Sequence, residues 1–249
     1  MTAARSPGAS ADADRDYSPF GGVDAWVFDL DNTLYPRHAN LYLQVDERIR
    51  AYVQKLLGLD PDAAKHLQKD YYRRYGTTLR GLMEEHGILP DDFLEYVHDI
   101  DHTPVEPDPS LASAIARLPG RKFILTNGSR RHAEKVAERL GFTDQFEDIF
   151  DIVRSELLPK PARETYDRFI ATTGVAPANA AMFEDLARNL VVPKALGMRT
   201  VLVVPNGTRE VFHEDWEFEG RDDDHTDYLT DDLGGFLEGV IAATGTATA

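Results

Sequence analysis

The sequence predicts an α/β protein whose core is a doubly wound parallel sheet, with a small helical module inserted after the first strand. From residue 104 onward, short apolar runs alternate with helical patterns, which is typical of parallel sheets. Before that point, four helical patterns follow one another with no strand between them. We therefore expect a core formed by residues 21–37 and 104–249, a helical module over 38–103, and a flexible tail over 1–20.

The elements before residue 104 follow from local patterns. Residues 24–29 form an apolar run that is too short for a helix, so they are predicted to be a buried strand. Apolar residues at helical spacing predict a first helix over 41–56, and Asp60 with Pro61 is predicted to begin the second, as its cap and first residue. The last two helices of the module are expected at 78–86 and 91–99.

The elements after residue 104 alternate between the two types. Strands are expected at 122–125, 151–153, 180–183, 200–204 and 228–229. Helices are expected at 111–118, 130–140, 163–172, 193–196 and 231–241. Gly141 directly follows the second of these helices, and glycine at that place is typical of a left-handed C-cap.

Composition and charge exclude several classes of function. The 249 residues carry a net charge of -16, which argues against a polymeric nucleic acid or an anionic membrane surface as partner. The chain has no cysteine, so disulfides, thiolate catalysis and cysteine-ligated metals are excluded. It shows neither an apolar run of membrane-spanning length nor the apolar core of a signal peptide at its N-terminus, so we expect a cytoplasmic protein. The acidic segment 213–227 belongs to no motif, and no catalytic role is assigned to it.

Polar clusters follow the predicted strands, at the edge of the sheet where ligands of such folds bind. The clusters are Asp29 and Asp31 after the first strand, Thr126 and Asn127 after the second, Lys160 between two prolines, and Glu184, Asp185 and Asn189 after a later strand. Their order and placement predict one converging site of acids, a hydroxyl and a cation.

These residue types suit the hydrolysis of a phosphate monoester. A phosphate repels a free carboxylate, so an aspartate nucleophile needs a cation, and Mg²⁺ prefers oxygen ligands. Asp29 and Asp185 are predicted to bind Mg²⁺ through their carboxylates, and Asp31 through its backbone carbonyl. Asp29 is the predicted nucleophile, while Asp31 protonates the leaving oxygen and then takes a proton from water. Thr126, the amides that follow it at a helix N-terminus, and Lys160 are predicted to bind the phosphate.

Four stretches of the sequence resemble the motifs of the haloacid dehalogenase (HAD) superfamily. They are residues 29–33, 126–128, 160–161 and 184–189, and the resemblance covers nearly all of 23–236. It implies a Rossmann-like core, a helical insertion similar to the superfamily's type 1 cap, and the same roles for the site residues. It also implies that Glu184 and Asn189 contact the ligands of the metal and so orient them, without binding the metal themselves. Asp31 favours phosphate chemistry, because the dehalogenases of the superfamily lack an acid there and use no magnesium.

Residues 31–36, 71–79, 97–99 and 183–190 look more specifically like the bacterial pyrimidine 5'-nucleotidase group. That resemblance implies hydrolysis of nucleoside monophosphates such as UMP or CMP to nucleoside and phosphate. Six polar or aromatic residues in the module or just before it are then candidates for contact with a base: Tyr35, His38, Asn40, Tyr72, Arg73 and Tyr75.

Two other functions are compatible with the same residue types. One is a phosphatase for another small phosphate, such as a phosphoglycolate-like compound or a sugar phosphate. The other is a phospho-receiver signalling module, which also places acids, a threonine and a lysine around an aspartyl phosphate. The helical insertion disfavours the second alternative, because receiver modules are shorter and carry no such insertion.

Overall fold

The computed structural model describes residues 15–205 and 224–245. These residues form a six-stranded sheet in the order β3-β2-β1-β4-β5-β6, and every neighbouring pair is parallel. The strands are β1 (Ala25–Phe28), β2 (Arg121–Leu125), β3 (Asp148–Phe150), β4 (Ala180–Glu184), β5 (Arg199–Val203) and β6 (Tyr228–Thr230). The predicted doubly wound parallel fold is therefore confirmed. The strand order reverses its direction at β1, and ligands of this fold bind at the carboxyl ends of the strands beside that point.

Helices cover both faces of the sheet, and five of them lie between β1 and β2 in the chain. The helices are α1 (Leu41–Leu57), α2 (Pro61–Tyr75), α3 (Thr78–His86), α4 (Pro90–Val97), α5 (Pro109–Arg117), α6 (Arg130–Leu140), α7 (Arg163–Thr173), α8 (Val191–Leu196) and α9 (Leu233–Thr244). Within the two described ranges, no helix combines the length and the apolar character that crossing a bilayer requires.

The two faces of the central strand β1 belong to separate apolar cores. Trp26 and Phe28 pack on one face with Phe183, whose ring is stacked on that of Phe28 at 4.7 Å. Val27 lies on the other face in a cluster that includes Tyr166. Side chains alternate across a strand, so a parallel strand covered on both faces must be apolar throughout, as β1 is.

The four helices α1 to α4 enclose a third apolar core, which includes Val53, Leu82 and Phe93. The start of α2 is the one that the sequence predicts. The side chain of Asp60 accepts hydrogen bonds from the amides of Asp62 and Ala63 and so satisfies two of the free N–H groups at the helix start. We call these four helices the cap.

The third strand of the sheet was predicted at the wrong place. It spans Asp148–Phe150 instead of 151–153, because Phe123 to Leu125 of β2 pair with these earlier residues. Asp151 already belongs to the following turn, where its carboxylate accepts hydrogen bonds from the amides of Arg130 and Arg154.

The predicted tail of residues 1–20 extends too far into the chain. Tyr17 and Phe20 are buried, and the ring of Tyr17 meets that of Phe236 edge to face at 5.2 Å. Residues 17–20 therefore belong to the core, because their aromatic side chains complete the packing against α9. Residues 1–14 of the predicted tail, and residues 213–223 of the acidic segment, lie outside the described residues.

Candidate active site

The eight residues predicted to form the site all line one cavity between the sheet and the cap. Its volume is about 150 Å³. The core side is formed by the ends of β1, β2 and β4, by the loops that follow them, and by the segment between β3 and α7. The predicted residues on this side are Asp29, Asp31, Thr126, Asn127, Lys160, Glu184, Asp185 and Asn189.

Lys160 is the buried cation of this cavity. Its Nζ lies 2.7 Å from Oδ1 of Asp29 and 2.7 Å from Oε1 of Glu184, and the side chain is only 1% exposed. Burial opposes the charge, but the two carboxylates raise the pKa of Lys160 above its usual value. The side chain of Asn127 holds the lysine in place, because it accepts a hydrogen bond from the Lys160 amide and donates one to the Lys160 carbonyl. The Asn127 side chain is therefore engaged with the backbone of Lys160 on both its oxygen and its nitrogen.

Asp29 stands at the end of β1, where its carboxylate is held from two sides. The Thr33 hydroxyl donates a hydrogen bond to Oδ2 at 3.0 Å, and Lys160 donates to Oδ1. Burial raises the pKa of Asp29 to about 7, and Glu184 and Asp31 add to the rise, although Lys160 lowers it. Burial and the nearby carboxylates also raise the pKa of Asp185 well above its usual value. The site thus holds more buried negative charge than Lys160 offsets.

A divalent cation fits this surplus of charge. Asp29, Glu184 and Asp185 each offer a carboxylate oxygen, and the three atoms lie within 4.8 Å of one another. Glu184 is the most engaged of the three carboxylates, because it accepts hydrogen bonds from Lys160, the Leu186 amide and Asn189, so Asp29 and Asp185 are the better placed ligands.

Two further contacts fit the same interpretation of the acidic cluster. Oδ1 of Asn189 is buried without a hydrogen-bond partner among the described residues, while its Nδ2 donates to Glu184. Asp185 forms an ion pair with Arg37 at 2.9 Å. The Asn189 oxygen and the Asp185 carboxylate therefore lie where a cation or its water ligands can use them.

Thr126 begins the loop that leads from β2 to α6. Its Oγ1 accepts a hydrogen bond from the Gly128 amide at 2.9 Å, which leaves the hydroxyl hydrogen for a ligand. The Gly128 amide, one of the two predicted to bind the phosphate, donates to Thr126 in this structure instead. The N-cap of α6 is Ser129, whose side chain accepts from the His132 amide.

Asp31 is held in a different way from Asp29. The Tyr35 hydroxyl donates to Oδ1 of Asp31 at 2.5 Å, and Nε2 of His132 lies 2.8 Å from the same oxygen. Burial opposes ionisation, but the charge and hydrogen bond of His132, with the Tyr35 hydroxyl, lower the pKa of Asp31 to about 2. The pKa values of Asp29 and Asp31 are therefore shifted in opposite directions.

His132 is not among the site residues predicted from the sequence, although its place in the apolar pattern of α6 marks it as unusual. His132 lies on the inner face of α6, next to Ala133 and one turn before Val136, at a position where the pattern calls for an apolar residue. A polar residue on a buried face close to a predicted ligand loop is a reason to look for a partner. The partner, Asp31, is 101 positions away in the sequence.

The cap side of the cavity differs from the prediction. Of the six residues predicted to contact a base, Tyr72 lines the cavity, and Arg188 of the core donates a hydrogen bond to its hydroxyl. Tyr35 binds Asp31 instead, and Tyr75 binds Glu85 of the cap. His38, Asn40 and Arg73 do not line the cavity either. The cap residues that line it without having been predicted as contacts include Tyr42, Asp46, Gln68 and Lys69.

Comparison with known proteins places this chain among hydrolases. A family profile described as haloacid dehalogenase-like hydrolase matches residues 23–197. Phosphate metabolism protein 8 of Saccharomyces cerevisiae is 28% identical over an alignment 195 residues long, and the match covers 71% of this chain and 60% of that protein. This chain therefore spans less than two thirds of the length of that relative.

Solved structures share the fold at low sequence identity. A HAD phosphatase from Thermococcus onnurineus is 18% identical, with a TM-score of 0.58 and coverage of 90% of this chain and 99% of that one. A HAD family hydrolase from Deinococcus radiodurans with bound phosphate and sodium is 18% identical, with a TM-score of 0.52 and coverage of 92% and 99%. The L-2-haloacid dehalogenase of Xanthobacter autotrophicus with covalently bound chloropropionic acid is 18% identical, with a TM-score of 0.52 and coverage of 87% of this chain and 97% of that one.

Proposed function

Because the chain belongs to the haloacid dehalogenase-like hydrolase family, we propose that it is a magnesium-dependent phosphomonoester hydrolase that forms an aspartyl phosphate on Asp29. The observation that carries the proposal is the carboxyl group of Asp31, two residues after the nucleophile. It lies in the same cavity and is held by hydrogen bonds of its own, to Tyr35 and His132. Displacement of a poor leaving group such as an alkoxide needs an acid, and Asp31 is a carboxyl group placed to supply one.

The core residues divide the reaction between them. Asp29 attacks phosphorus, and Lys160 and the Thr126 hydroxyl bind the phosphate oxygens that gain charge. Mg²⁺, held by Asp29 and Asp185, would supply the positive charge that allows a carboxylate to approach a phosphate. Asp31 donates a proton to the leaving oxygen, and then takes one from the water that hydrolyses the acyl phosphate. Asp31 is ionised at neutral pH in the free site, but a bound phosphate dianion opposes that charge and favours the protonated form.

We also propose pyrimidine nucleoside 5'-monophosphates as the substrates. Two kinds of side chain on the cap side of the cavity support this choice. Tyr42 and Tyr72 offer aromatic rings on which a base can stack, and Gln68 and Lys69 offer hydrogen-bonding groups for its edge. A smaller phosphate such as a phosphoglycolate-like compound or a sugar phosphate is the alternative, because the cavity volume of about 150 Å³ lies below the roughly 300–1,000 Å³ of typical ligand pockets.

Phosphate release from a panel of monoesters tests both levels of the proposal. The panel contains UMP, CMP, AMP, phosphoglycolate and sugar phosphates, each measured with Mg²⁺ and with a chelator, and Asp29→Asn is the control. Preferential, Mg²⁺-dependent release from UMP or CMP that is lost in the variant supports the whole proposal. Preference for an ester without a base refutes the substrate and keeps the reaction. A protein that releases phosphate from none of them, and only retains or slowly loses its own, is a receiver module instead.

A further inference from the structure

We propose that His132 is a positioning residue for the general acid, and that it fixes which oxygen of Asp31 faces the leaving group. The inference rests on the proposed function, because it assumes that Asp31 protonates the leaving oxygen. It goes beyond that function by assigning a role to a histidine outside all four motifs. His132 is completely buried, whereas the Asp31 side chain is 20% exposed in the cavity wall.

Both hydrogen bonds to Asp31 end on the same oxygen. Oδ1 accepts from the Tyr35 hydroxyl at 2.5 Å and lies 2.8 Å from Nε2 of His132. The second oxygen, Oδ2, is therefore the one left to meet a substrate in the cavity that Asp31 lines. Without these two contacts the carboxyl group can rotate about its Cβ–Cγ bond and present either oxygen.

A second histidine fixes the orientation of the His132 ring. Nδ1 of His102 lies 3.1 Å from the Ile100 carbonyl oxygen, which can only accept, so this nitrogen carries hydrogen. In the neutral ring Nε2 of His102 is then an acceptor, and Nδ1 of His132, 3.1 Å away, is its donor. Nε2 of His132 meets the Asp31 carboxylate, which accepts, so the His132 ring donates from both of its nitrogens and cannot flip without breaking both contacts.

The ring of His98 holds His132 from a third direction. It stacks on the His132 ring at 4.8 Å between centroids, and its own Nδ1 lies 2.9 Å from the Leu94 carbonyl oxygen. Because His98 closes α4 and lines the cavity, the cap contributes to this packing. His132 is thus fixed by groups of the core, of the segment after the cap, and of the cap itself.

The orientation of the Asp31 carboxyl group affects one step only, the protonation of the leaving ester oxygen. As the bond between phosphorus and the ester oxygen breaks, its electron pair stays with that oxygen, and Oδ2 of Asp31 delivers a proton to it so that a neutral alcohol leaves. A 4-nitrophenolate ion is stable enough to leave without a proton. Loss of His132 should therefore slow the transfer from an alkyl phosphate far more than the transfer from 4-nitrophenyl phosphate.

The test compares kcat/KM for UMP and for 4-nitrophenyl phosphate, because this quantity reports the steps through aspartyl-phosphate formation. His132→Leu is expected to lower kcat/KM for UMP about tenfold to a hundredfold, and to change the value for 4-nitrophenyl phosphate by less than about threefold. His132→Gln keeps an amide that can donate near the position of Nε2, so it should recover part of the loss for UMP. Phe142→Leu, which loosens packing with Phe146 beyond the other end of α6, is the matched control and should leave the ratio unchanged.

The outcomes separate this inference from the function on which it rests. If His132→Leu lowers both substrates equally, or neither, or if Phe142→Leu shifts the ratio as much, the positioning role is wrong. Failure of the wild-type protein to hydrolyse either ester, or equal hydrolysis by Asp29→Asn, would contradict the proposed function instead. If UMP is not a substrate, any alkyl phosphate that the panel identifies takes its place in the comparison.

Discussion

Replacement of Asp29 by asparagine is expected to stabilise the metal-free protein at pH 8. Burial raises the pKa of Asp29 from 3.8 to about 7, so the folded state holds its proton more tightly than the unfolded state does. The free energy of unfolding therefore falls as the pH rises from about 4 to about 7, and stays low above that range. An asparagine carries no charge to bury and is free of this loss.

The expected gain follows from two opposing contributions. At about 1.4 kcal/mol per pKa unit, the shift from 3.8 to about 7 means that the ionised carboxylate costs the folded state about 4 kcal/mol at pH 8. This figure already contains the opposing attraction of Lys160, which lowers the pKa of Asp29. Asparagine, which is neutral like the protonated acid, is therefore expected to gain up to about 4 kcal/mol in the free energy of unfolding.

Urea unfolding of wild type and variant, at pH 8 and near pH 4.5 with a chelator present, measures this gain. The difference between the two proteins should be largest at pH 8 and should shrink toward the acidic pH. The exposed Asp144→Asn is the control and should change stability by less than about 0.5 kcal/mol at either pH. A variant that is no more stable than wild type at pH 8 would refute the claim that the site buries uncompensated negative charge.

Three further changes test separate parts of the structure. Lys160→Met should lower kcat/KM by at least about a hundredfold, because it removes the buried ammonium, whereas the exposed Lys65→Met should not; steady-state kinetics decides. Gly120→Ala should lower the free energy of unfolding by at least about 2 kcal/mol, because Gly120 has a φ of +75° and a new Cβ would collide with the backbone oxygen of Asp24. Urea unfolding measures the loss, and Gly22→Ala, which has open space around it, is the control. Tyr72→Leu should raise KM for UMP about tenfold while kcat for 4-nitrophenyl phosphate holds; unchanged KM values would remove Tyr72 from substrate binding.

The fold could be predicted where local patterns decide the structure. Helix α6 begins and ends at the predicted residues, because the serine before it and the glycine after it fix both ends. The third strand could not be predicted in the same way. Asp148-Ile149-Phe150 and Asp151-Ile152-Val153 are nearly the same tripeptide, and only pairing with β2 decides between them.

The same division holds for the site. Residues that follow strand ends, such as Asp29 and Asp185, could be placed together because parallel strands end at one edge of the sheet. The cap side of the cavity could not be predicted, because it depends on how the cap, with its own apolar core, packs against the sheet. The contacts of Asp31 with His132 depend on the same three-dimensional packing and have no local pattern.

The most direct test of the proposed chemistry is a search for phosphate covalently attached to Asp29. The wild-type protein, mixed with substrate and Mg²⁺ and quenched with acid during turnover, should show a mass increase of one phosphoryl group that maps to the peptide containing Asp29. The Asp29→Asn variant should show none. Steady turnover of the substrate without any covalent phosphate, or with the phosphoryl group on another residue, would contradict the assignment of Asp29 as the nucleophile.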